Sequence, residues 1–508
     1  MVVDYNKIVL NGIKPLEHQL KVCKFMHNPF YRSLFLFHSV GSGKTISALV
    51  AAKCILDKYP NKKVIVLTPS SLVSNFEKEI EKLKLPFRSH IIVRSYKKFV
   101  NLTAKGNSIC EDSILIVDES HNLNGGGVIY KSIFECAKKA FKVILLSATP
   151  VKNSIGEIAF QFSLLTGHKI SKKKLDDLSF INDVGTRRGI LQDIFKCKIS
   201  FYKVQDKRNG RSSKDFPDLV TTDVKLKMSD DYYKSYYKIQ EDVRYGIPDF
   251  LKDTKSLTAF YNGIRRAVNT LHEVSPKIEW TLKKIKQVTS AGKKVLVYSN
   301  WIDTGINLVK RGLDSQGLKY GEVSGNLSKS AKDYHVRKFN SGETKILLVS
   351  ASGSEGLNLK EVNTVIILEP YWNQSRIDQV IGRAVRFKSH SQLPKEERVV
   401  HVYNLILVKP DQKHRETLIQ GIKGKKVTDV IPSADVILYE KTKQKQISID
   451  TFYKDLEALS IEKDKDCFPK HLRTPEVPVN DINAKGNSRA TKPTKLEQEL
   501  LKMMGYSF

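Results

Sequence analysis

Short apolar runs, mostly of four residues, recur along the chain, most of them closed by small, hydroxyl or acidic residues. Leu34–Phe37, Val64–Leu67, Ile114–Val117 and Val143–Leu146 come first. Val295–Tyr298, Ile346–Val349, Val365–Leu368 and the stretch His401–Leu407 follow after a long gap. Runs this short and this continuous predict strands buried on both faces, as in parallel sheets covered by helices. Most lead into stretches with helical spacing, so the expected class is α/β, with a second α/β unit opening at Lys293. Between the two series lie a charged loop (Lys203 to Lys214), an alternating strand (Thr221 to Met228) and a helical, tyrosine-rich run (Ser229 to Gly246). Tyr232, Tyr233, Tyr236 and Tyr237 fall on one helical face, either as a core stripe or, with the lysines between them, as a base-stacking surface. Arg265, Arg266 and Lys277 are candidate phosphate contacts.

Length agrees with this division, since 508 residues exceed one ordinary domain. An apolar fraction of 41% supports real cores. No run of about 18 apolar residues occurs, so no membrane partner is expected. The opening residues also lack the hydrophobic segment of a secretory signal. The six cysteines have no Cys-x-x-Cys spacing, and the expectation is core or incidental thiols in a reducing compartment. Charge changes the picture most, with a formal net of +31. The stretch 441–508 holds 13 Lys+Arg against 10 Asp+Glu, so nearly all the excess sits on the body. A body that basic implies a polyanionic partner, nucleic acid first among them.

The chemistry concentrates at the ends of the apolar runs. After Leu34–Phe37 comes His38-Ser-Val-Gly41-Ser42-Gly43-Lys44-Thr45 and then a helix former. Strand, glycine turn and helix N-terminus build an anion cradle. Lys44 adds a positive charge, and Thr45 can hold Mg²⁺. His38 occupies the place of the first glycine of the G-x-x-x-x-G-K-[ST] pattern. Asp118 and Glu119, delivered by Ile114–Val117, suit a Mg²⁺ ligand and a base for the attacking water. Gln19 begins a helix and either reads an adenine edge or is solvated. Thr68-Pro69-Ser70-Ser71 either grips a sugar-phosphate backbone or caps a helix. Gln379, Arg383 and Arg386 share one helix face, suited to a γ-phosphate or to a basic surface.

These segments, in this order over residues 12–410, resemble the superfamily 2 helicases and translocases. The resemblance implies two RecA-like lobes with ATP between them and nucleic acid crossing both. It implies an ATP-binding lobe over 1–228, a helical inter-lobe insertion over 229–275, a second lobe over 276–440 and a C-terminal extension over 441–508 with a partly disordered tail. Gln19 is then the adenine reader, and Gly41, Ser42, Gly43, Lys44 and Thr45 form motif I. Asp118 to His121 form motif II, and Ser147 and Thr149, with His121, the coupling elements. Gly353 to Leu359, including Gly356, look like motif V; Gln379, Gly382, Arg383 and Arg386 look like motif VI. Pro69, Ser70, Ser71, Ser324, Gly325, Ser352 and Gly353 become the nucleic-acid contacts. Thr149-Pro-Val-Lys-Asn153, Gly356-Leu-Asn-Leu359 and Trp372-Asn373 lean toward the Swi/Snf-like group, which mostly moves along duplex DNA. Trp372 through His390 is similar to the poxvirus-type transcription ATPases of large cytoplasmic DNA viruses. The implied protein is an ATP- and Mg²⁺-using hydrolase that favours DNA over RNA. It would serve viral transcription beside a viral RNA polymerase or transcription-factor subunit, in the host cytoplasm and the virion. The alternatives are an RNA helicase and a non-catalytic nucleic-acid-binding subunit.

Overall fold

The computed structural model describes Tyr5 and residues 8–104, 109–178, 181, 183–203, 216–245, 263–271, 275–351, 353, 357–424 and 428–468, with backbone alone at 242–245. The chain divides into two compact units. One holds the described residues up to Ser39, from Gly43 to Lys203 and from Ser448 onward; the other holds 40–42 and 204–447.

In the first unit six strands form one parallel sheet: β1 (Ser33–His38), β2 (Val64–Thr68), β3 (Ile91–Ser95), β4 (Ile114–Val117), β5 (Lys142–Ser147) and β6 (Ile199–Tyr202). Their spatial order is β3-β2-β4-β5-β1-β6. Along β1, Phe35 and Phe37 enter one apolar cluster while Leu34 and Leu36 enter another on the opposite face. Strands β2 and β4 alternate in the same way, which is why their sequences are apolar throughout. Helices α1 (Glu17–His27) and α2 (Lys44–Lys58) pack on the face that holds Leu34.

The second unit repeats the plan with β7 (Asp218–Lys227), β8 (Lys294–Ser299), β9 (Gly321–Val323), β10 (Ile346–Ser350), β11 (Val362–Ile367) and β12 (Val399–Val408). Its order is β7-β12-β11-β8-β10-β9, again all parallel. The two α/β units with parallel sheets agree with the expected class.

The domain boundaries need correction. The strand before residue 228 is β7, and its ten residues pair with β12 in the second sheet. The first lobe therefore ends near Lys203 rather than at 228. Residues 229–275 are no separate insertion in their described part. Helix Asp230–Tyr245 buries Tyr232, Tyr233, Tyr236 and Tyr237 in a cluster with Ile264, Val268, Leu407 and Ile419 of the second unit. The core stripe is the reading the structure bears out, and the stacking surface is not. The extension is divided too. Helix Ala434–Ala458 starts in the second unit, and Ile449, Phe452, Tyr453 and Leu456 pack on the first sheet. The polar tail beyond about 470 lies outside the described residues.

The cysteines are also corrected. Cys23–Cys54, Cys110–Cys136 and Cys197–Cys467 are disulfides, and no free cysteine remains. Sequence spacing could not show this. Cys23 and Cys54, for example, meet because α1 lies on α2 with their Cα atoms 5.8 Å apart. Among the described residues no helix is long and apolar enough to cross a membrane.

Candidate active site

Strand β1 ends at His38, and the chain turns through Gly41 and Gly43, both at positive φ near +80°. Gly43 is the N-cap of α2 with no side-chain cap, so the helix's first amides are not claimed by a capping side chain. The positive φ favours glycine at 43, and a Cβ there would stand 2.8 Å from the Gln19 amide nitrogen and push that side chain aside. Gln19 accepts the Leu16 N–H at 2.9 Å and donates to the Gly43 carbonyl at 3.4 Å. It is therefore built into the turn rather than left to solvent. The Lys44 ammonium waits 3.4 Å from the Ser39 carbonyl. Thr45, the second residue of α2, is half-exposed. This cradle fits a polyphosphate.

Asp118 and Glu119 emerge from β4, with Glu119 in the left-handed region at φ +51°. The Asp118 carboxylate accepts the Thr68 hydroxyl at 3.2 Å and the Glu119 N–H at 3.0 Å. Tyr96 donates its hydroxyl to the Asp118 carbonyl. Burial and the Glu119 charge push Asp118 up to about 7, while Lys44 and the two hydrogen bonds pull the other way. A buried carboxylate raised this far, beside a phosphate cradle, fits a hard divalent cation. Asp118 and Thr45 are the residues that would hold Mg²⁺, which would neutralise phosphate charge.

His121 is buried, with Nδ1 2.8 Å from the Ser147 hydroxyl and 3.3 Å from a Glu119 oxygen. Burial lowers it to about 4, so it is a neutral imidazole at physiological pH. The Ser147 oxygen also accepts the Thr149 N–H at 3.1 Å. The end of β4 is thereby tied to the end of β5. Gln161, which no motif indicated, adds to the link: it accepts from Ser120 and donates to the Pro150 carbonyl at 2.7 Å. A lone glutamine inside an apolar helix was the signal for it.

The expected nucleic-acid contacts divide. Ser70 and Ser71 are exposed in a short turn after β2, with Pro69 half-buried. Thr68 beside them turns inward to Asp118 instead. Ser324 is fully buried with its hydroxyl on Glu322, so only Gly325 of that pair is exposed. A Cβ at Gly353 would fall 2.0 Å from the Val323 carbonyl, so glycine there lets two strand ends touch. Ser352 and Gly356 lie outside the described residues. Lys277 is unavailable to phosphate, being buried on Asp435 at 2.7 Å. Arg265 is buried against Trp301, Tyr371 and Trp372, and Arg266 alone of these three is exposed. In the second unit, Gln379 and Arg383 are half-buried on helix Gln374–Ala384. Arg386 follows that helix and holds the Leu357 carbonyl at 3.0 Å.

Residues 277–388 match the helicase conserved C-terminal domain. A protein of Acanthamoeba polyphaga mimivirus named as an ATP-dependent RNA helicase, L538, is 32% identical, the match covering 78% of this chain and 89% of that one. The termination factor NPH-I homolog of African swine fever virus is 26% identical over 78% of this chain and 72% of its own. The SWI2/SNF2 ATPase core of Sulfolobus solfataricus, solved with duplex DNA, aligns at 19% identity over 90% of this chain and 99% of its own, with TM-score 0.37. The chain belongs to the superfamily 2 helicases, with viral relatives, and is a nucleic-acid-dependent ATPase of that family.

Proposed function

We propose that this enzyme is a motor that couples ATP hydrolysis to movement along nucleic acid, with duplex DNA preferred, in viral transcription. The carrying observation is the linked set Thr68–Asp118 and Glu119–His121–Ser147 at the ends of β2, β4 and β5, beside Lys44. A change at the phosphate is felt there by the chain that carries Ser70 and Ser71. Lys44 holds the triphosphate and Glu119 orients the water. The water oxygen bonds to the γ-phosphorus, the bond to ADP breaks, and Glu119 takes the proton. Gln379, Arg383 and Arg386 are assigned to the charge that develops on the transferred phosphate. The basic body, Pro69 to Ser71, Gly325 and Gly353 are assigned to the nucleic-acid backbone.

The name of the African swine fever virus relative, a termination factor homolog, supports a role in transcription, and a viral polymerase is the proposed partner. Three disulfides favour a stage outside the reducing cytosol, as a packaged virion enzyme has. The name of the mimivirus relative favours a second reading, an RNA helicase. Steady-state ATPase with no nucleic acid, single-stranded DNA, duplex DNA and RNA separates them, with Glu119→Gln as control. Stimulation by duplex DNA and not RNA supports the proposal, and stimulation by RNA supports the second reading. Turnover no higher than the control in every condition would overturn both and leave a non-catalytic subunit.

A further inference from the structure

Strand β6 is the edge of the first sheet beside β1, and an edge leaves backbone groups unpaired. The C-terminal segment covers it. The Ile461 N–H donates to the Ile199 carbonyl at 2.9 Å, and the Cys197 N–H to the Leu459 carbonyl at 3.3 Å. Glu462 then turns its carboxylate onto β6, where one oxygen accepts the Phe201 N–H at 2.7 Å. The other accepts the Ser200 hydroxyl at 2.6 Å, and that hydroxyl oxygen lies 2.8 Å from His38 Nε2. Ser200 and His38 are fully buried. Burial pushes the Glu462 carboxyl up, but the donors from Ser200 and Phe201 favour its ionised form.

With the Glu462 carboxylate ionised, counting protons sets the direction of this chain. A serine hydroxyl has one proton, and here it goes to the carboxylate. The Ser200 oxygen must therefore accept from His38, which sets the imidazole as its Nε2–H tautomer and leaves Nδ1 bare. That nitrogen is buried with no hydrogen-bond partner among the described residues, a setting that suits a bare acceptor better than an N–H. Burial also keeps the ring uncharged. The next residue, Ser39, donates its N–H to the Tyr202 carbonyl at 2.9 Å and presents its own carbonyl to Lys44. A glycine at position 38 could take no part in such a chain.

We propose that Glu462 is a positioning residue for the nucleotide turn: through Ser200 it fixes His38, and through the Ser39 carbonyl it sets where Lys44 waits for phosphate. Glu462 touches no nucleotide itself. The segment 459–468 is thereby part of the ATP site, pinned by Cys197–Cys467 and by Tyr31 donating to the Cys467 carbonyl at 3.0 Å. The inference rests on the ATPase reading above.

Glu462→Gln keeps the shape and breaks the polarity. With its amide nitrogen toward Ser200, the hydroxyl must donate to His38, and the Nδ1–H tautomer then buries a proton with no acceptor. With the nitrogen toward Phe201, two donors face each other. Full-length Glu462→Gln should raise the KM for ATP and the Kd of a fluorescent ATP analogue about tenfold, the scale of one unsatisfied buried donor, with kcat within about twofold. Ser200→Ala, which leaves Glu462 on Phe201, should do the same and serves if the first variant fails to fold. In a His38→Gln background, Glu462→Gln should add less than about twofold, whereas a merely structural Glu462 would give independent, multiplying effects. Unchanged KM and Kd in both Glu462→Gln and Ser200→Ala, beside a wild type that loses ATP binding on Lys44→Ala, would overturn the proposal. A wild type that binds the analogue and never turns over would refute the ATPase reading alone, and the Kd comparison would still decide the role of Glu462.

Discussion

As the proposed Mg²⁺ ligand, Asp118 should make the activity sensitive to pH in a range where an ordinary aspartate would not. Its carboxyl is raised from 3.8 to about 7, first by burial and then by the Glu119 charge. Mg²⁺ binds the ionised form, so protons and metal compete for this group. With a pKa of about 7 the ionised fraction is about 0.1 at pH 6 and about 0.9 at pH 8. The Mg²⁺ concentration for half-maximal turnover should therefore rise about tenfold from pH 8 to pH 6, with little change in rate at saturating metal. An aspartate at 3.8 would stay ionised throughout and give a flat profile. The assay is steady-state ATP turnover against Mg²⁺ at pH 6, 7 and 8, corrected for the protonation of ATP itself. Thr68→Val removes a donor that favours the ionised form and should move the midpoint upward. The metal-free stability has the opposite sign: the folded chain holds a proton that the unfolded chain releases above about pH 4. Stability should fall from about pH 4 to about 7 without metal, and added Mg²⁺ should reverse the trend. A Mg²⁺ requirement that is flat from pH 6 to pH 8 would refute the reasoning.

The Lys277–Asp435 pair is buried on both sides, and Asp435 also accepts the Leu407 N–H at 3.0 Å. Asp435→Ala strands an ammonium in the core and should cost about 3–5 kcal/mol in chemical denaturation, part of which Lys277→Met should restore in the double variant. Ser147→Ala removes a hydrogen bond of about 1 kcal/mol between motif II and β5. Stimulation of ATPase by nucleic acid should drop about fivefold, more than ATP affinity does, as titrations with each ligand would show. Lys142 is buried on the Asn28 and Tyr31 carbonyls and lowered to about 8 by burial and by Lys58. Its folded pKa lies below the unfolded one, so this group adds stability as pH rises from about 8 to about 10. Lys142→Met should remove that slope from thermal melts.

The placement of Lys44 and Thr45 at a helix start after a glycine turn, and of Asp118 and Glu119 at a strand end, was legible in the sequence because an apolar run precedes each pair. The strands were legible for a related reason, since burial on both faces leaves no polar position to blur them. Strand β7 was seen, but its half-exposed alternation carries no information about its partner, and β12 lies far along the chain. Lys277 showed as a cation and hid its acid, 158 residues away. The cysteines and the Glu462–Ser200–His38 chain were invisible for the same reason: such contacts are set by which elements pack together, not by spacing along the sequence.

The Cys197–Cys467 bond joins residues 270 apart, and the whole of 204–447 lies between them. The second unit is thus carried on a closed covalent ring rather than strung on an open thread. A single backbone cut anywhere between the two cysteines leaves one molecule, and only a reductant turns the nicked chain into two. For the proposed motor, tension entering the ring can return by either arm. One arm can break without the machine coming apart.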